Sequence, residues 1–475
     1  MTIHFETLGC KLNQIESESA ANFFFTEGFS ISMKSLARED GVQNDVSLCV
    51  VNTCTVTGKA EQKARRVINL LLDLCPNCPV LVTGCYAELD ASLIKSIHKR
   101  IMVLPGTKKG LLADIAVLVK KFFSQQIPEF RSGVLDEKTG SELRTFLERE
   151  IELITGTTPA AETAFTLSTD TFFQHSRSSI KIQDGCNNHC TYCRIRLARG
   201  SSVSLDPVTI IERVQKLEET GHSEVIITGV NLSQYKALYN GEDADIVFLL
   251  ELLIQSTKKI SFRISSLYPE RVDEKLCAVL KSERIRPHFH LSVQSGSNRI
   301  LQLMKRPYKA QQVYEAVNRL RQIKPDAFIA CDIIAGFPGE TEEDFQRTLE
   351  MCTDLDFTWI HAFPFSPRPG TEAYEMKSAV GSQISARRVL LLTETAKRQK
   401  KNFVEKMKGK EFKAVVEKRK ELPLRAVTEN FLHTQLILPD QAGGEEFKGR
   451  EIRLTILGQS SAAGCEAQGL FTAFI

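Results

Sequence analysis

No stretch of this 475-residue chain approaches the roughly 18 consecutive apolar residues that a membrane-crossing helix needs. LLADIAVLV (111–119) is short and carries an aspartate. The start, MTIHFETLGC, lacks the basic segment and apolar stretch of a secretory signal, so the expected compartment is the cytoplasm. Charge of one sign is scarce too: 61 Lys and Arg against 58 Asp and Glu leave only +3. Any nucleic acid must therefore be met by a local patch rather than by the overall field. A reducing compartment disfavours a disulfide framework, so the thirteen cysteines are expected to serve as metal ligands, catalytic groups or small buried hydrophobes.

What remains is the composition of a globular protein, 42% hydrophobic and 25% charged, long enough for two to four domains. Residues 1–135 alternate apolar runs with helix-compatible stretches, the rhythm of a parallel sheet flanked by helices. The runs TIHFETLGC, VSLCVVNTC (46–54) and PVLVTGC (79–85) end on Cys10, Cys54 and Cys85. Open α/β sheets bind ligands at the carboxyl ends of their strands, so these three cysteines should converge on one edge. Residues 136–172, rich in Glu, Thr and Ser, suggest an interdomain connection with a short helix near SELRTFLEREIEL. Residues 173–408 resume the alternation with SSIKIQDGC, SEVIITGV, KISFRISSL, HFHLSVQS and DAFIACDIIAGFP. Five or six βα units fit a complete or partial parallel barrel. Residues 409–475 turn to short strands joined by polar and Gly turns, a small antiparallel barrel of a shape often used to hold RNA. Before it, residues 386–420 hold thirteen Lys and Arg against four Glu, a run compatible with a solvated helix face or with an RNA contact.

The densest chemistry is QDGCNNHCTYCRIRLARG (183–200), with Cys186, Cys190 and Cys193 spaced C-x3-C-x2-C. Structural zinc takes four ligands, usually as two pairs at C-x2-4-C spacing. His189 is a possible fourth ligand, although it sits directly beside Cys190. An iron–sulfur cluster accepts thiolates readily, and three cysteines on a four-iron cubane leave one iron open to a small molecule.

With Tyr192 just before the last cysteine, this spacing resembles that of the radical S-adenosylmethionine enzymes. The resemblance implies a barrel fold, a [4Fe–4S] cluster on Cys186, Cys190 and Cys193, and S-adenosylmethionine bound at its open iron. TLGCKLNQ (7–14), VNTCTVT (51–57), VTGCYAE (82–88) and ARG (198–200) extend it, over essentially the full length, to the methylthiotransferases. The wording is most similar to the branch acting on N6-threonylcarbamoyladenosine (t6A) beside the tRNA anticodon; isopentenyladenosine tRNA and ribosomal protein S12 are the other branches. The similarity implies an auxiliary [4Fe–4S] cluster on Cys10, Cys54 and Cys85, and a TRAM-like RNA-binding module at the C-terminus. It also implies tRNA, a sulfur donor and an electron donor as partners, and no membrane. Gly229 and Asn231, in ITGVNLSQY after the second barrel strand, are candidates for contacting S-adenosylmethionine, and Tyr192 adjoins its cluster. A non-catalytic metal-containing RNA-binding protein is the rival reading, but it leaves two separate cysteine triplets without a purpose.

Arg196 departs from the family pattern by standing where proline is usual, removing a φ restraint and adding a charge near the cluster. Cys75 and Cys78 in LCPNCPV form a C-x-x-C that fits a redox or metal pair, while Pro76 and Pro79 suggest a turn before a strand. Cys49, Cys277, Cys331, Cys352 and Cys465 have the contexts of ordinary residues. His288 and His290 alternate along a strand as barrel filling or surface.

Overall fold

The computed structural model describes residues 1–126, 135–159, 163–169, 173, 177–417, 423–438 and 444–475. Lys418, Arg419 and Lys420 of the basic run, and residues 160–162 and 170–172 of the expected connection, lie outside them. The chain divides into two units, one of residues 1–174, 184–188 and 193–203, the other of residues 175–183, 189–192 and 204–475.

The first unit is built on a five-stranded parallel sheet of order β2-β1-β3-β4-β5. Its strands are β1 (Thr2–Thr7), β2 (Ser30–Ser32), β3 (Val46–Thr53), β4 (Val80–Gly84) and β5 (Ile101–Val103). All eight residues of β3 are buried, as a near-continuous apolar run in a parallel sheet with both faces covered requires. One face packs Ile3, Phe5, Leu48 and Val50 under helices Lys11–Thr26 and Leu112–Gln126. The other packs Cys49, Val51, Val80 and Val82 under the helix Gly58–Leu74.

Part of the expected connection behaves differently. Residues Glu137–Thr157 form a 21-residue helix, opened by Asp136 accepting from Thr139 N at 2.8 Å. Its Leu143, Leu147 and Ile151 belong to the first core. Four-residue spacing of those side chains makes one apolar stripe, and burying it pins the helix to the sheet.

In the second unit, parallel strands β6 (Ser178–Asp184), β8 (Glu224–Gly229) and β11 (Ser261–Ile264) make one sheet, with β7 (Val203–Ser204) at its edge. After Ser265 the chain re-enters as β12 (Ser266–Leu267), which leads through β13 (His288–Gln294) and β14 (Phe328–Ala335) to β15 (Trp359–Pro364). Together they form the partial barrel. β15 supplies the sixth of the five or six expected units, although no run had been named for it, and the hairpin β9 (Lys236–Tyr239) and β10 (Glu242–Asp245) was not anticipated. The terminal barrel is closed, in the order β16 (Glu411–Val416), β17 (Arg425–Thr428), β18 (His433–Ile437), β20 (Ala467–Phe474), β19 (Glu451–Gln459). It closes through a parallel β18–β20 pair rather than being antiparallel throughout. Phe328 and Ala330 of β14, with Val404 and Met407 of the helix Ser382–Met407, complete its core.

Glu224, at the start of β8, is the electrostatic hub of this unit. It accepts from Arg263 Nε at 2.8 Å and from Arg286 Nε at 3.0 Å. Arg177 stands 3.6 Å away. Arg286 also pairs with Glu429 at 3.5 Å and with Glu451, both from the terminal barrel region. Burial alone would raise the Glu224 pKa, but Arg263 and then Arg286 hold it down to about 2. A depressed carboxyl pKa stabilises fully above the unfolded value of about 4.3, and the contribution fades as pH falls through about 4 toward 2. Glu224→Gln leaves buried guanidinium groups uncompensated and is expected to cost about 3–5 kcal/mol. Urea unfolding at pH 7 should show the loss, and the gap from wild type should narrow near pH 2.5.

Candidate metal centres

Strands β1, β3 and β4 are adjacent, parallel and in register, with Thr7 beside Asn52 and Thr53 beside Gly84. None of the three cysteines is the last strand residue, as the apolar runs had suggested. Cys54 and Cys85 follow β3 and β4 by one residue and Cys10 follows β1 by three, so all three leave from the same sheet edge. Cys10 is the N-cap of the helix Lys11–Thr26. Cys54 and Cys85 are buried, and Cys10 is exposed. Burial pushes the Cys54 thiol up to about 11, with Cys10 and Cys85 adding to the rise, as neighbouring thiols would. Gly9 turns the chain at φ +108, and a Cβ there would lie 2.9 Å from Cys54 Sγ.

Polar groups lock this edge. Asn13 donates to Leu8 O at 2.8 Å and to Thr53 O at 3.0 Å, while Asn52 donates to Asn13 O at 3.1 Å. Arg199 donates to Asp184 at 2.9 Å, to Asn13 Oδ1 at 2.9 Å and to Glu16 at 3.2 Å. Glu16 also pairs with Lys109. Burial works against the charged Arg199, yet Asp184, Glu16 and then Cys85 and Cys10 hold its pKa well above the usual arginine value. A buried cation therefore stands beside the three sulfurs. Neither Arg199 nor Asn13 was singled out in the sequence, although both lie inside the ARG and GCKLNQ wording.

The C-x3-C-x2-C loop supplies Cys186 and Cys193 to the first unit and Cys190 to the second. In the first, Cys186 N donates to Gly200 O at 3.1 Å, and Cys186 Sγ accepts from Asn188 N at 3.4 Å. Cys193 Sγ accepts from Ile195 N at 3.4 Å. Arg194 is buried and reaches Glu61 and Asp90, both at 3.2 Å. Arg196 lies in the short helix Ile195–Arg199, and its carbonyl accepts from Gly200 N at 2.9 Å. In the second unit, Cys190 Sγ accepts from Arg306 at 3.3 Å. Arg306 lies 4.5 Å from the Tyr268 ring centroid. Thr191 is held at both ends, its N donating to Met304 O at 3.2 Å and its carbonyl accepting from Ala373 N at 2.8 Å. Tyr192 packs edge-on against Phe337 at 6.5 Å.

Gly229 ends β8 and lies so close to Gln183 that a Cβ would come within 2.9 Å of it. Asn231 is buried; its N donates to Gln183 Oε1 at 2.8 Å and its Oδ1 accepts from Ser233 N at 3.2 Å. The Asn231 side chain thus caps the short turn Leu232–Gln234. The basic run is less free than its composition suggests. Arg388 is buried against Glu340, Lys400 sits 3.9 Å over the Trp359 ring and bonds Glu466, and Lys406 pairs with Asp356. Lys397, Arg398, Lys401 and Lys408 are exposed.

Of the cysteines given an ordinary reading, Cys49 has two thiol neighbours. It is fully buried with its sulfur 3.4 Å from that of Cys78, and Cys75 completes a group whose sulfurs lie within 4.8 Å of one another. The pairing was hidden in the sequence because Cys49 meets the C-x-x-C turn only through strand register. His288 is buried and stacks on Phe431 at 4.0 Å, which is filling. His290 instead pairs with Asp332 at 3.0 Å and stacks on His361.

Comparison with known proteins agrees with this arrangement. The Radical SAM superfamily model matches residues 180–352, and the model described as Uncharacterized protein family UPF0004 matches residues 2–106. The class is therefore that of radical S-adenosylmethionine proteins, whose cofactors are S-adenosylmethionine and [4Fe–4S] clusters. The chain is 41% identical over 490 residues to threonylcarbamoyladenosine tRNA methylthiotransferase MtaB of Treponema pallidum (strain Nichols), covering 96% of this chain and 98% of the relative. The same-named protein of Aquifex aeolicus (strain VF5) is 34% identical over 461 residues, covering 96% of this chain and 100% of the relative. The chain belongs to the threonylcarbamoyladenosine tRNA methylthiotransferase family. Among solved structures, the radical S-adenosylmethionine methyltransferase TsrM from Kitasatospora setae, with cobalamin and a [4Fe–4S] cluster bound, shares the fold. It does so at 13% identity and a TM-score of 0.50, over 78% of this chain and 76% of that one.

Gly9 and Gly28 both have positive φ, but a Cβ on Gly28 would meet nothing within 4 Å. Gly28→Ala should cost about 1 kcal/mol for backbone strain alone. Gly9→Ala adds crowding against Cys54 and should cost about 2–4 kcal/mol. Denaturant midpoints of the two variants measure the difference.

Proposed function

We propose that the chain transfers a methylthio group to C2 of N6-threonylcarbamoyladenosine at position 37 of tRNA, in the cytoplasm. The observation that carries the reading is the gathering of Cys10, Cys54 and Cys85 at one sheet edge, in a chain that also carries the C-x3-C-x2-C loop. In this reading Cys186, Cys190 and Cys193 hold the cluster that binds S-adenosylmethionine, and Cys10, Cys54 and Cys85 hold an auxiliary [4Fe–4S] cluster. Each donor set fits its group, because three soft thiolates on four irons leave one iron open. The chemistry these groups supply when bound is reductive cleavage of S-adenosylmethionine for hydrogen abstraction, together with a site that carries sulfur.

The protein's own residues bind, orient and shield. Arg199 offsets the negative charge of the strand-end thiolates, and Asn13 and Asn52 fix the loops that carry them. Arg306 does the corresponding work for Cys190, and Tyr192 against Phe337 holds the loop between Cys190 and Cys193. Gly229 and Asn231 offer S-adenosylmethionine a close backbone approach after β8, with Gln183 fixing the Asn231 amide. Among the described residues no helix is long and apolar enough to cross a membrane.

A strain lacking the gene should lose 2-methylthio-N6-threonylcarbamoyladenosine from total tRNA and accumulate t6A, read by nucleoside mass spectrometry. Unchanged 2-methylthio-t6A, or loss of 2-methylthio-isopentenyladenosine instead, would refute the substrate assignment.

For tRNA the supporting feature is the exposed pair Lys397 and Lys401, whose four-residue spacing shares one helix face, with exposed Lys408 at the end of the same helix. Lys397→Glu with Lys401→Glu is expected to weaken tRNA binding about tenfold at 0.1 M salt, and to lower the log–log salt slope by about 1–2. Filter binding across a salt series measures both. An unchanged slope would remove this face from the RNA contact.

A further inference from the structure

Cys49, Cys75 and Cys78 lie at the other end of the sheet from the strand-end triplet. Cys49 sits in the first half of β3, five residues before Cys54, so the two are about 16 Å apart along an extended strand. The C-x-x-C turn links the helix Gly58–Leu74 to β4, and Cys49 N donates to Pro79 O at 3.1 Å. All three thiols are within 1% of complete burial.

Three observations separate this group from ordinary core filling. The sulfurs lie within 4.8 Å of one another, with Cys49 and Cys78 at 3.4 Å. Three sulfurs bound tetrahedrally at about 2.3 Å from one ion stand about 3.8 Å apart, so shifts of an ångström or less, a slight widening of the Cys49–Cys78 pair among them, fit the group to a metal. Arg100 spans the turn, donating to Leu72 O at 2.6 Å, Cys75 O at 2.6 Å and Cys78 O at 3.0 Å. Its cation therefore stands beside the thiols. His4, fully buried, is the register partner of Cys49 on β1 and is held by Ser32 at 3.1 Å and Glu6 at 3.4 Å.

We propose that Cys49, Cys75 and Cys78 form a buried three-thiolate site for one zinc-class divalent ion, distinct from both cluster triplets, with a water or other small neutral ligand completing the four-coordinate shell. Each thiol gives up its proton on binding. Three thiolates and a divalent cation carry a net −1, which the adjacent Arg100 balances; an uncompensated buried charge would be costly. A monovalent soft ion would leave −1 unbalanced, so the charges favour the divalent one. The ion fixes the turn that feeds β4, the strand leading to Cys85. A Cys49–Cys78 disulfide is the competing chemistry. It would occupy two sulfurs and leave Cys75 without a role.

The test uses the full-length chain purified anaerobically from zinc-supplemented medium, with zinc and iron measured by mass spectrometry. Wild type and a Cys10→Ala/Cys54→Ala/Cys85→Ala variant should each hold about one zinc per chain. Cys75→Ser/Cys78→Ser should lose at least five-sixths of it with iron unchanged. Zinc absent from wild type, zinc that disappears with Cys10, Cys54 and Cys85, or a Cys49–Cys78 disulfide in the freshly purified chain would overturn the site. If the serine variant does not fold, zinc-edge X-ray absorption on wild type decides. Three sulfur neighbours at about 2.3 Å support the site, and a shell of oxygen and nitrogen alone refutes it.

Discussion

Parallel strands lay their carboxyl ends along a single edge, and the metal chemistry of the first unit depends on that geometry. Cys10, Cys54 and Cys85 are separated by 44 and 31 residues of chain, yet the pairing of β1, β3 and β4 brings all three to one rim. A one-residue slip of β3 would turn its buried residues to the opposite face and carry Cys54 out of line. Register is secured by the two apolar faces of the sheet, Leu48 and Val50 on one side and Cys49 and Val51 on the other. Asn13 and Asn52 then tie the rim loops to one another.

Buried charge performs the second half of the organisation. Arg199 and Lys109 share Glu16 beneath the thiol-bearing rim, and Glu224 gathers Arg263 and Arg286 in the second unit. Such networks contribute little net stability over an apolar core of equal volume, but removing one member leaves an unpaired ion and is expensive. They favour one arrangement over near alternatives. At Arg199 the cation also stands beside the rim sulfurs, and at Arg286 it links the partial barrel to the terminal barrel through Glu429 and Glu451.

Periodicity carried much of the architecture in the sequence. The parallel sheet and the partial barrel follow from apolar runs alternating with amphipathic helices, and the terminal barrel from its short strands. The cluster cysteines stood out because each follows such a run or crowds into one short loop. Long-range pairing stayed hidden. Leu143, Leu147 and Ile151 have helical spacing, but nothing local says that their stripe meets the first core. Asn231 has the wording of a ligand contact, while its role as a turn cap depends on Ser233 and Gln183 in three dimensions. The cations of residues 386–420 form a single run in sequence, whereas tertiary contacts divide them into paired ones such as Arg388 and Lys400 and exposed ones such as Lys397 and Lys401.

In the proposed function two independent cysteine triplets each hold one cluster. Iron counting after anaerobic reconstitution of Cys54→Ala, of Cys186→Ala and of the double variant tests it most directly. About eight irons are expected in wild type, about four in each single variant and close to none in the double. Eight irons retained in either single variant, or both clusters lost together from one substitution in a folded chain, would contradict it.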